Sequence, residues 1–160
     1  MSRLHLLFCA FFFTLLPSVS HANGADPRVE KLLKAAELNY KVDKDGDFRL
    51  GNQVTEERTQ LAWILSNTST LGSLEIREVW SVAYRSKQPF SKDIANKLLE
   101  QNTQVKLGAW QIRKMGEDYV AVFSAQIAAD SDEMTLLLAL QAVTTTADLM
   151  EKELTGKDDF

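Results

Sequence analysis

The stretch LEIREVWSVAYR, residues 74 to 85, constrains the fold more than any other part of this chain. Leu74, Ile76, Trp80, Val82 and Tyr84 are apolar at even positions, while Glu75, Arg77, Ser81 and Arg85 put polar groups at odd ones. A period of two sends the two sets to opposite faces of an extended backbone, so the segment reads as a strand of a half-buried sheet. Such a strand needs neighbours to pair its backbone and a second layer to cover its apolar face. Glu78 breaks the apolar set. It is either a buried carboxylate in a cleft or a residue turned to water by a bulge or a strand end. Bulges commonly re-aim single residues, so the second outcome is expected.

The rest of the chain supplies the neighbours and the layer. Asp26 as N-cap and Pro27 at the first helical position start a helix. Val29, Leu32, Leu33 and Ala36 continue it to about residue 38. Short strands are expected over 40–43 and 47–50, and a longer one over 58–66 with Leu61, Trp63 and Leu65 on one face. The run SNTSTLGS at 66–73 reads as a polar turn. Ser91 caps a second helix to about residue 102, with Ile94, Ala95, Leu98 and Leu99 on its apolar side. Trp110 and Ile112 point outward from a further strand, Met115-Gly116-Glu117-Asp118 turns the chain, and 119–123 reads as a central, buried strand. Asp130 and Glu133 stand at capping-box spacing before a last helix that reaches about residue 154. Its seam of Leu136, Leu140, Val143, Ala147, Met150 and Leu154 suits packing on its own sheet or against a second copy, which leaves a homodimer open. The expected fold is α+β: helix, four strands, helix, two strands, helix, with an antiparallel sheet and the helices packed on one face.

The opening MSRLHLLFCAFFFTLLPSVSHA has the marks of a secretory signal peptide: Arg3, an apolar run over 4–16, Pro17, and small residues before a cut after Ala22. That run is shorter than the roughly 17 residues a spanning helix needs, so no stable membrane insertion is expected after cleavage. Residues 23–160 remain as one domain with short flexible ends near 23–27 and 156–160. The expected location is the periplasm or outside the cell. Cleavage removes Cys9, His5 and His21, the only cysteine and histidines. Ser/His and Cys/His nucleophile pairs, the usual zinc ligands and disulfides are then excluded, and no cofactor is expected. Loss of Arg3 leaves 18 − 1 = 17 basic against 22 acidic residues. This negative balance, without a basic cluster, argues against nucleic acid as a partner.

The stretch YKVDKDGDFRL, residues 40 to 50, offers Asp43, Asp45 and Asp47 as candidate metal ligands. A calcium loop of the EF-hand type starting at Asp43 needs glycine at its sixth position and glutamate at its twelfth, where this chain has Phe48 and Val54. A hairpin explains the stretch better. A three-residue loop Lys44-Asp45-Gly46, with Gly46 left-handed, pairs Val42 with Phe48 and Tyr40 with Leu50, and keeps the apolar residues on one face. Asp43 then faces Asp47, beside Lys41 and Arg49, with room for at most a weakly bound cation.

The order of these pieces resembles the bacterial YbjN family of sensory transduction regulators. The likeness rests on the first helix, YKVDKDGDFRL, Arg58 opening a strand, VWSVAYR, LLEQNTQVKLGAWQI, YVAVF and a long last helix with a late acid such as Asp148. It implies a fold like that of type III secretion chaperones, which are small, acidic, often dimeric proteins that hold segments of other proteins, and it implies no catalytic residue. The expected function is an exported, non-enzymatic binding or chaperone-like module for a protein or peptide partner. Trp63, Trp80 and Trp110 are the candidate contact residues, although strands and cores also favour tryptophan and at least two are expected in the core. The alternatives are weak calcium binding through the three aspartates, or a carboxylate-dependent hydrolase built on Glu78, which lacks an evident second acid.

Overall fold

The computed structural model describes residues 24–160, and the expected signal peptide lies outside the described residues. The elements are α1 (Pro27–Ala35), β1 (Lys41–Val42), β2 (Phe48–Gln53), β3 (Thr59–Leu71), β4 (Leu74–Ser86), α2 (Lys92–Gln101), β5 (Ala109–Met115), β6 (Asp118–Ala128) and α3 (Glu133–Thr155). Six strands form one antiparallel sheet in the order β1-β2-β3-β4-β6-β5. The α+β class and the element order agree with the expectation.

The three helices share one face of the sheet. Val29 and Leu33 of α1, Leu98 of α2 and Leu136, Leu140, Val143, Ala147 and Met150 of α3 form a single core with Phe48, Leu50, Ile64, Val79, Phe123 and Ile127 of the strands. The seam of α3 therefore packs on its own sheet. Its cap is Asp132, which accepts from the Thr135 N–H at 2.9 Å, and not Asp130. The capping-box spacing named the wrong acid because Asp130 still belongs to the turn that closes β6, where the Ser131 N–H reaches the Ala128 carbonyl. Ser91 caps α2 as expected, but Leu99 points to solvent.

The β1–β2 hairpin has the anticipated register. Val42 pairs with Phe48, the Asp43 N–H donates to the Asp47 carbonyl at 2.9 Å, and Gly46 has φ +84°. The serine and threonine run at 66–71 is strand and not turn. Thr68 pairs with Arg77, Ser69 with Ile76 and Thr70 with Glu75, and only Gly72-Ser73 turn the chain. β-branched threonine suits an exposed ladder, and Gly72 at φ +61° allows the tight two-residue link.

The largest correction concerns which face is covered. In β4 the odd residues Arg77, Val79, Ser81 and Ala83 are buried under the helices, while Ile76, Glu78, Trp80 and Val82 occupy the opposite face. A register shift between Val82 and Tyr84 then returns Tyr84 to the helix side, against Phe90. β3 repeats the inversion: Gln60, Ala62, Ile64 and Ser66 are buried, while Leu61, Trp63 and Leu65 are half-buried on the far side. Buried Arg77 is tolerated because its polar atoms are met. Its Nη2 donates to Asp26 Oδ2 at 2.6 Å and its Nη1 to the Leu65 carbonyl at 2.5 Å.

Candidate functional site

The helix-free face carries its own small cluster. Val82, Val120 and Val122 are fully covered, and Trp63, Trp80, Met115 and Phe160 pack around them. Trp63 and Trp80 are cross-strand partners, and their rings stack with centroids 4.5 Å apart and planes 7° apart. Among the described residues no helix lies over this layer, and the indole pair stands on its outer side.

Cations surround the pair. Arg49 is the cross-strand partner of Trp63, and Lys41 pairs with Arg49 in turn. On the other flank the Arg113 guanidinium stands 5.7 Å from the Trp80 ring centre, within range of a cation–π attraction. Further along, the Arg85 guanidinium lies 6.0 Å from the Phe160 ring. Asp118 answers Arg85, its Oδ2 3.9 Å from Arg85 Nε, and Glu78 is the acid placed beside Arg113. Its Oε1 accepts from Arg113 Nη2 and from the Ser124 hydroxyl. The register shift between Ile64 and Thr68 lies in β3 across from Glu78, while Glu78 itself keeps the alternation of β4 and stands on the uncovered face with Ile76 and Trp80. Its position is an ion-paired, half-buried acid, with a guanidinium and a hydroxyl where a hydrolase would want a second carboxylate.

The third tryptophan does not join this face. Trp110 is buried against Phe123 at 5.2 Å in an edge arrangement, its backbone N–H donates to Asn102 Oδ1 at 2.7 Å, and its indole N–H donates to Gln101 Oε1. The expectation that it points outward is wrong because α2 and the loop after it close over β5. Two of the three tryptophans thus stand on the open face, against the expectation of two in the core.

The hairpin aspartates are used by the backbone. Asp43 Oδ1 accepts from the N–H groups of Asp45 and Asp47 at 2.9 and 3.0 Å, and Asp47 Oδ1 accepts from the Ser66 N–H at 2.8 Å. Burial, offset in part by that Ser66 bond, pushes the Asp47 carboxyl above its usual range. Among the described residues the carboxylates that converge are Asp148, Glu151 and Asp158. A guanidinium already sits among them: Arg58 Nε donates to Asp148 Oδ1 at 2.6 Å, and Nη2 stands 3.7 Å from Glu151 Oε2 and 3.9 Å from Asp158 Oδ1. Burial raises the Glu151 carboxyl above its usual range. Sequence reasoning named Arg58 and Asp148 only within a resemblance and missed their contact, since nothing in a linear pattern joins positions 90 apart.

A groove of about 480 Å³ opens on the helix side, between Leu38 and Asn39 after α1, Gly51 to Val54 at β2, and Leu137, Gln141 and Thr145 of α3. Glu37 is its one charged lining residue, and it offers no acid pair or cation cluster. Among the described residues no helix is long and apolar enough to cross a membrane. A scan of protein-family models finds no match to this chain, and neither curated proteins nor solved structures return a similar one. The fold and the open face define the class: an α+β protein with one face of its sheet sealed by helices and the other presenting aromatic and cationic side chains.

Proposed function

We propose that the protein is a non-enzymatic binding module that holds an extended segment of another protein on the helix-free face of its sheet. The stacked Trp63–Trp80 pair carries this reading. Aromatic side chains contribute most where they are rigid and partly desolvated, and cross-strand stacking fixes both rings before any partner arrives. Around them Lys41, Arg49, Arg85 and Arg113 share the face with the acids Glu78 and Asp118, so charges of both signs frame the rings. Charged groups of both signs at the rim favour a segment of complementary pattern and fix its register. Export to the periplasm or beyond, and a place near the YbjN-like and secretion-chaperone proteins, belong to the same proposal and rest on the sequence patterns alone.

The test is a selection from displayed ten-residue peptides with the full chain, followed by binding measurements on variants. Trp63→Leu keeps apolar cover over Val82 while removing the ring, and should weaken the selected peptides by about thirtyfold, roughly 2 kcal/mol for a central aromatic anchor. Leu99→Ala, on the exposed side of α2, should leave them unchanged. Peptides that bind Trp63→Leu as well as the native chain would sink the proposal. A stable dimer dissociated by Trp63→Leu would do so too, because it would assign the face to a second copy.

A further inference from the structure

Past Gly156, which ends α3 at φ +68°, residues Lys157, Asp158, Asp159 and Phe160 cross from the helix layer to the open face. Their route is a split in the sheet. The β3–β4 ladder starts at Ala62 and Ser81, whereas β4 pairs with β6 from Ile76 through Ser86, so among the described residues Thr59 to Leu61 have no strand partner on the β4 side. The Gln60 side chain partly bridges the split, donating to the Val82 carbonyl at 2.6 Å, and the Ser81 hydroxyl reaches the Leu61 carbonyl at 2.6 Å. The segment fills the remainder. Asp158 accepts from the orphan Thr59 N–H at 3.3 Å, the Lys157 carbonyl accepts from Arg58 Nη1 at 2.8 Å, and the Asp159 N–H donates to Glu151 Oε1 at 2.6 Å. Phe160 then lies on the Val82, Val120 and Val122 cluster beside Arg85.

We propose that residues 157–160 are an internal ligand of the open face, held in the place that a partner segment with an acid two residues before an aromatic side chain would take. This rests on the binding reading above and gives the partner its chemistry. The seated segment itself is the template: Asp158 reaches the Thr59 N–H and, two residues on, Phe160 lies on the valine cluster. Its polar anchoring is imperfect, which makes exchange favourable. Thr59 and Asp158 are at the long end of hydrogen-bond range, and among the described residues Arg58 Nη2 and Glu151 Oε2 are buried without a hydrogen-bond partner. A carboxylate arriving from a partner can meet Arg58 Nη2, which Asp158 approaches only to 3.9 Å.

The experiment uses an amidated fluorescent peptide Gly-Lys-Asp-Asp-Phe, with Asn-Asn and terminal Ala versions as controls, on the full chain. Phe160→Ala should bind it roughly tenfold more tightly than the native chain, since one buried aromatic no longer competes. Asp158→Asn, which leaves the apolar cover intact, should shift affinity in the same direction, and both control peptides should lose binding. Equal affinity for the native chain and both variants, or no binding to either variant, overturns the proposal. Selected peptides that depend on Trp63 yet are indifferent to Phe160→Ala also overturn it, and leave the binding reading standing.

Discussion

At the scale of single residues, Arg77 shows how a buried charge can be structural. Its guanidinium is fully covered and ties β4 to Asp26 at the cap of α1 and to the Leu65 carbonyl, while Arg28 joins the same Asp26 to Glu75 by paired bonds. Removing one side of a buried ion pair leaves the other uncompensated, so Arg77→Met should lower stability by about 3 kcal/mol in urea unfolding. A loss below 1 kcal/mol would mean that Arg28 alone satisfies Asp26. In the sequence Arg77 looked like a solvent-facing residue because it alternates with Ile76 and Glu78. Alternation separates two faces but does not say which one a second layer covers. In β4 the choice was hard to read, since Val79 and Ala83 on one face balance Ile76, Trp80 and Val82 on the other.

At the scale of elements, signals were legible where one local interaction decides the outcome. The hairpin is such a case: Gly46 must be left-handed for Val42 to meet Phe48, and a Cβ there would come within 2.9 Å of the Gly24 carbonyl carbon. Gly46→Ala should therefore cost roughly 1–3 kcal/mol, more than conformational strain alone, and thermal melts should show the loss. The cap of α3 gives a second check. Asp132→Ala should cost about 1 kcal/mol and Asp130→Ala close to nothing, and equal losses would contradict the observed cap. Elements were misread where the deciding partner is remote. Residues 66–71 carry turn-like composition yet belong to a strand, because past a register shift between Ile64 and Thr68 β4 supplies a ladder from Thr68 to Leu71. Trp110 was placed outward because its closure depends on Asn102 and Gln101 of another element.

At the scale of the whole molecule, the α+β class followed from strand alternation plus three amphipathic helices, whereas the open aromatic face did not, because it depends on how all three helices distribute over two sides. The helix side is tied to the sheet by the Asp26, Arg28, Glu75 and Arg77 network, and this sets the acid response. Burial disfavours the Asp26 carboxylate, but hydrogen bonds from Arg28 and Arg77 outweigh it and hold the group well below the usual range. The Arg28 and Thr68 bonds lower Glu75 to about 2. Acids depressed in the folded state stabilise it above their unfolded pKa and lose that contribution as pH falls, here from about 4 toward 2. Glu151 and Asp47 act with the opposite sign: burial raises both, so their contribution is present at low pH and disappears as pH rises through their folded values. The melting temperature should then drop steeply below pH ~4 and slope gently downward as pH rises through the raised folded values of Glu151 and Asp47. Asp26→Asn should flatten the acid limb, and Glu151→Gln should flatten the upper slope while leaving the acid limb in place. A native profile that stays level down to pH ~2 would show that the Asp26 network adds no stability through its charge.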